Sequence, residues 1–294
     1  MMKQMRRPNG NLRLFLLLIA HSMLLAGVRA APVSIPHGTV DLIAENQSIA
    51  PGHQCYLGLH FQLERRWHIY WVNPGDSGQP PRAEWHLPAG LTIGEMEWPA
   101  PRRLGTTPIV DFGYDDAVTL LVPLRASATL PANQSAQLGA ELKVLVCREI
   151  CIPGKAQISM SFPVKPTRAE PEARTRELFA SARKSLPRPL PADWKIGVSD
   201  AKDSFILAAT FGRQITQATF FPLYESQIDN SARQKLTPEA SGFELTLQKS
   251  DQLLKPIKKL KGVLELSHES YMIEAPVGNP KASTQKDGLG RPAR

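Results

Sequence analysis

The sequence predicts an all-β chain: an antiparallel β-sandwich, then a linker carrying a short helix, then a second, smaller β domain. Short runs alternate apolar and polar residues with a period of two, the period of a strand with one buried face. The segments between them, such as NPGDSGQPP at 73–81 and LPAG at 87–90, are rich in turn-forming residues. Strand patterns do not alternate with helical ones, which argues against a Rossmann or thioredoxin-like domain.

Residues 1–30 read as a secretory signal peptide. MMKQMRRPNGNLR carries four basic residues and no acidic one, an apolar run from Leu14 to Gly27 follows, and Val28-Arg29-Ala30 supplies a cut site. His21 and Ser22 interrupt the run, which falls short of the roughly 20 apolar residues that a spanning helix needs. The expectation is export, after cleavage behind Ala30, into an oxidising compartment where disulfides persist.

In the first domain, 31–165, HQCYLGLHFQL (53–63) places Cys55, Leu57, Leu59, Phe61 and Leu63 on one face. WHIYW (67–71), AVTLLVPL (117–124), AQLGAELKVLV (136–146) and QISMSFPV (157–164) complete the predicted strands. Between 166 and 193, AEPEARTRELFASARKSL has one helical face made by Leu178, Phe179 and Ala182, bounded by proline on both sides. The second β domain, 194–278, is read from FILAATF, ATFFPL, FELTLQ, GVLELS and YMIEAPV. The tail, 279–294, lacks apolar periodicity and is expected to be disordered.

The formal charge of +8 falls to +3 once the five basic residues of 1–30 are removed. No basic block with interleaved aromatics accompanies it, so no nucleic-acid partner is expected. No later segment is long and apolar enough to cross a membrane.

The chemistry centres on VLVCREICIPGK, 144–155, which holds two of the three cysteines, Cys147 and Cys151. Four residues of extended strand would separate them by about 13 Å, whereas a bridge needs Cα atoms about 4.4–6.8 Å apart. A tight bend that begins at Cys151 and reaches Pro153-Gly154 makes a bridge possible and puts the pair at a hairpin tip. Three readings stay open. A structural staple is weakened by the small loop, since the stabilisation grows with loop length. A zinc site lacks further ligand motifs, although two thiolates suit Cu(I). A reversible dithiol/disulfide fits both the compartment and the loop length, and is preferred. Arg148 and Lys155 favour a thiolate, and Glu149 opposes it. Cys55, on an apolar strand face, reads as a buried free thiol.

VCREICIPG, together with WHIYWVNPGDSG (67–78) and VDFGYDDAVTLLVPL (110–124), resembles the N-terminal periplasmic domain of the thiol:disulfide interchange protein DsbD family. ATFFPL with QIDN (227–230), and SDQLLKPIKKLKGVLEL (250–266), resemble the second β segment of longer, ScsB-like members. The resemblance implies an immunoglobulin-like first domain whose cysteine pair, Cys147 and Cys151, shuttles electrons. The pair would take them from a membrane-embedded partner and pass them to periplasmic thioredoxin-like proteins, including those of cytochrome c biogenesis. By the same analogy Cys151 is the attacking thiol. A cap loop is implied at VDFGY, with Phe112 (or else Tyr114) as its aromatic beside Asp111, and His68 and Tyr70 line the site. On their residue types alone, Phe112 is ordinary core, and Trp67, Ile69 and Trp71 pack opposite His68 and Tyr70. No cofactor or resident metal is implied.

The sequence ends at Arg294 without a membrane domain or a terminal thioredoxin-like CxxC. The expected function is therefore a relay served by a separate transmembrane thiol reductase, an exchange of the protein-disulfide reductase type. The rival is a non-catalytic periplasmic copper-handling or scaffold protein.

Overall fold

The computed structural model describes residues 31–278 apart from His268. The signal peptide and the tail expected at 1–30 and 279–294 lie outside the described residues. The strands run β1 (Val33–Ile35), β2 (Gly38–Ala44), β3 (Gln54–Leu63), β4 (His68–Gly75), β5 (Arg82–His86) and β6 (Leu91–Ile93). Then come β7 (Arg102–Thr106), β8 (Ile109–Asp115), β9 (Ala117–Ala126), β10 (Gln134–Cys147) and β11 (Cys151–Val164). A helix, α1, spans Ala173–Ser185. The second half holds β12 (Arg188–Pro189), β13 (Lys195–Asp200), β14 (Ser204–Thr210) and β15 (Thr219–Pro222). It closes with β16 (Lys235–Glu239), β17 (Gly242–Gln248), β18 (Lys259–Leu266) and β19 (Glu269–Gly278).

Two sheets make the immunoglobulin-like sandwich. One has the order β1-β2-β3-β9-β6, the other β11-β10-β4-β8-β7 with β5 added to β10. Period-two alternation builds the core between them: Leu57, Leu59 and Phe61 of β3 face Leu138, Leu142 and Val146 of β10 in one cluster. β8 is absent from the sequence-predicted strands for a physical reason. Val110 through Tyr114 are buried on both faces, so VDFGY shows no alternation.

The second β domain is one sheet system, ordered β15-β18-β19-β13-β14-β17-β16, with β12 alongside β19. β12 falls inside the stretch assigned to the linker. β15 also explains why ATFFPL is apolar at successive positions. Phe220 enters the second domain's core, while Phe221 turns the other way into the first. Val263 and Leu264 of β18 divide in the same manner. The β15–β18 face is thus buried on both sides, and the two domains share a hydrophobic contact.

α1 packs on the outer face of the first sandwich. Phe179 and Ala182 join Ile43 and Leu121 in a third, small cluster. Gly58 makes the close approach possible: a Cβ there would stand 3.2 Å from Phe179 Cζ and 2.9 Å from Thr119 Cγ2. A helix of 13 residues is marginal in water by itself, so this docking holds it. Phe179→Ala should cost about 3–5 kcal/mol of the local docking energy. Hydrogen exchange should then show protection lost across 173–185 while the strand amides keep theirs.

Candidate functional site

The site is built on the outer face of the β11-β10-β4-β8-β7 sheet. Val146 of β10 points into the core, so its neighbour Cys147 points away from it. The register pairs Cys147 with Cys151 across the β10–β11 hairpin and with His68 across the β10–β4 ladder. Residues opposite one another in an antiparallel ladder share a face, so both cysteines and His68 lie together. Tyr70, two residues further along β4, lies on that face too.

The two sulfurs form a disulfide, with Cα atoms 4.1 Å apart. Arg148, Glu149 and Ile150 make the turn, closed by Arg148 N–H donating to the Ile150 carbonyl at 3.0 Å. The sulfurs are unequal in access: Cys147 is 1% exposed, whereas Cys151 is exposed. Beside Cys151 stands Ile150, 65% exposed. Arg148 forms an ion pair with Glu149 and lies over the Trp67 ring at 5.0 Å, and Arg66 reaches Glu149 at 3.5 Å. The rim of the disulfide is therefore an apolar tip flanked by cations.

Tyr70 lies against the bridge, with its hydroxyl 3.5 Å from Cys151 Sγ. A bridged sulfur carries no proton, so the hydroxyl is the donor. Burial first, then the Asp111 carboxylate, push the Tyr70 phenol above its ordinary range, against a lowering hydrogen bond from Ser77. The proton therefore stays on oxygen. His68 packs edge-on to Tyr70, with ring centroids 5.3 Å apart. Burial pulls its pKa below 6.5, opposed by the negative charges of Asp111 and Asp115. At neutral pH it is an uncharged imidazole, and its Nε2 is buried without a hydrogen-bond partner.

Residues 39–163 match the family described as thiol:disulfide interchange protein DsbD, N-terminal. This segment is similar to the N-terminal domain of that family. The whole described fold is similar to the crystal structure of the N-terminal periplasmic domain of ScsB from Proteus mirabilis. That likeness has a TM-score of 0.66 at 16% identity and covers 86% of this chain and 100% of the other. No curated protein sequence matches the chain.

Within this segment, the expected cap at VDFGY needs correction. Phe112 and Tyr114 lie on a strand, not a loop, and their alternation turns both away from the cysteine face. Phe112 is wholly buried and meets Phe221 edge-to-face, with centroids 5.3 Å apart. Tyr114 donates its hydroxyl to the Pro99 carbonyl at 2.7 Å. Asp111 does lie on the site face, where burial raises its pKa against the hydrogen bonds from Ser77. The segment lying over Tyr70 is instead the one after β4. A Cβ on Gly78 would stand 2.1 Å from Tyr70 Cζ, and Gly78 has φ +85°, so only glycine fits so close at that backbone. Ser77 anchors the segment by donating N–H and Oγ–H to Asp111 Oδ1 at 2.9 and 3.0 Å. By composition Ser77 and Gly78 are turn formers, and their place in the WVNPGDSG stretch is the sequence signal that marks them. Cys55, from β3, is a buried free thiol away from the bridge.

In the reduced protein, the Tyr70 hydroxyl favours the Cys151 thiolate. Tyr70→Phe should raise the Cys151 pKa by about one unit, seen as a shifted pH profile of iodoacetamide alkylation. Asp111→Asn removes a charge that favours the imidazolium, so the His68 titration followed by NMR should move further down. Because the folded His68 value is already depressed, its contribution to stability is present above about pH 6.5 and is lost as the pH falls through the folded value.

Proposed function

We propose that this protein is a periplasmic thiol:disulfide relay, in which Cys147 and Cys151 open and close to carry reducing equivalents. The observation that carries the reading is the asymmetry of the bridge: one exposed sulfur under a tyrosine hydroxyl, and one buried sulfur opposite a neutral histidine. The similarity to the DsbD N-terminal domain supports interchange chemistry. No helix among the described residues is long and apolar enough to cross a membrane. Electrons are assigned to a transmembrane thiol reductase, and the acceptors are thioredoxin-like proteins.

In the reduced form the Cys151 thiolate attacks a disulfide sulfur of the acceptor. A Cys151–acceptor bond forms, and the acceptor's other sulfur leaves as thiolate. Cys147 then attacks Cys151 Sγ, closing the internal bridge and releasing the second acceptor sulfur. The acceptor gains two electrons and the pair loses two. His68 sits across the ladder from Cys147, at the roughly 4.5–5.5 Å Cβ spacing of such pairs. As a neutral base it accepts the Cys147 thiol proton when that sulfur becomes the nucleophile.

The test is a pair of single substitutions assayed against a thioredoxin-like protein. Cys147→Ala should accumulate a mixed disulfide at Cys151, visible on non-reducing gels, while Cys151→Ala should accumulate little. Trapping only through Cys147 would reverse the assignment. The wild-type potential should fall among exchanging couples, about −120 to −270 mV, and a value below about −300 mV would mark a structural bond. One-to-one Cu(I) uptake by the reduced pair, lost with either cysteine and accompanied by no mixed disulfide, would favour the copper-handling alternative.

A further inference from the structure

The WVNPGDSG stretch contains two polar residues, Asn73 and Asp76, that take no part in the contacts around the sulfurs. Both reach the second β domain instead. Asn73 is buried; its Nδ2 donates to the Pro222 carbonyl of β15 at 2.8 Å, and its Oδ1 accepts Gly75 N–H at 3.0 Å. Asp76 accepts Val110 N–H on Oδ2 at 2.8 Å and Asn230 Nδ2–H on Oδ1 at 2.8 Å. Asn230 is itself buried, and its carbonyl accepts Arg103 Nη2–H of β7 at 2.6 Å. Its Oδ1 has no partner, so the side-chain amide is committed to Asp76 alone.

The residues next to Asp76 are Ser77 and Gly78, which fasten to Asp111 and lie on the Tyr70 ring. A continuous physical path therefore runs from Asn230 through Asp76 and the 76–78 backbone to Tyr70, whose hydroxyl touches Cys151. A polar cleft of about 530 Å³ borders the contact, lined in part by Asp76, Pro108, Asp229 and Asn230. It gives solvent room to take over both groups when the bond opens.

We propose that the second β domain is a positioning element for the disulfide: through Asn230 and Asp76 it holds the 76–78 segment on Tyr70, and thereby sets how readily Cys151 is reached. Asn230 is a positioning residue, with no contact to sulfur. The inference rests on Cys147–Cys151 as an exchanging pair, so the probe is a small reductant that needs no protein partner. A dithiothreitol thiolate attacks Cys151 Sγ and expels Cys147 as thiolate. Its second thiol then closes the dithiothreitol ring and frees Cys151, with two electrons passing to the pair.

The experiment measures the pseudo-first-order rate of this reduction in the full chain, alongside hydrogen exchange at the Ser77 and Val110 amides. Asn230→Ala removes the donor, and Asn230→Asp sets a like charge against Asp76. Both should speed reduction about tenfold, the scale of one charge-assisted hydrogen bond, and both should deprotect the two amides. Lys259→Ala, which breaks an exposed ion pair within the second domain, should do neither. The double substitution Asp76→Asn with Asn230→Asp restores one donor facing one acceptor and should return the rate to within about twofold of the parent. Unchanged rates in both single variants overturn the proposal. So does amide deprotection without faster reduction, or failure of the double substitution to restore the rate, which also covers single variants that merely unfold. A protein that yields no mixed disulfide but whose dithiothreitol rate responds to Asn230 would lose the relay function and keep the clamp.

Discussion

The register of the β10–β11 hairpin is the constraint on which the site depends. Two 14-residue strands pair from Gln134 opposite Val164 to Cys147 opposite Cys151. Alternate residues along both strands, Leu138, Ala140, Leu142 and Val146 against Ala156, Ile158, Met160 and Phe162, are buried in the sandwich core. A slip of one residue would turn that whole set toward solvent. The hydrophobic pattern along the ladder therefore does what four residues of separation cannot do alone. It brings two sulfurs to direct opposition beside the turn and points them away from the core.

From that opposition follows the division of labour at the bridge. The hairpin tip leaves one sulfur outermost, while the other sits where β4 joins the ladder and is covered. Placing His68 and Tyr70 on β4 brings an imidazole and a phenol to the same patch. Burial then keeps both uncharged at neutral pH, the first by lowering its pKa and the second by raising it. An uncharged pair beside a disulfide offers a proton acceptor and a hydrogen-bond donor without placing a fixed charge next to the sulfurs.

Much of this was legible in the residues. Alternation marked β3, β10 and β11, and it also put His68 and Tyr70 on one face opposite Trp67, Ile69 and Trp71. VDFGY was missed as a strand because it lies between two packed layers, and its double burial leaves no period to read. ATFFPL was legible as a strand, but its burial on both faces was not. The Phe112–Phe221 contact that results is invisible to any pattern within either segment. The Asp76–Asn230 bond joins residues 154 apart in sequence, so nothing local distinguishes either partner from an ordinary turn residue. Helix α1 was legible as a helix from its Leu178, Phe179 and Ala182 face, but its seat over Gly58 was not.

Cys55 has one more consequence. A chain with three cysteines can close three different bridges, and two of those use Cys55. Burial pushes that thiol up to about 12, so on the order of one molecule in 10⁵ carries it as thiolate at pH 7. Once β3 is in place, the odd cysteine is chemically silent. Errors in pairing are then confined to the interval before the sheet closes.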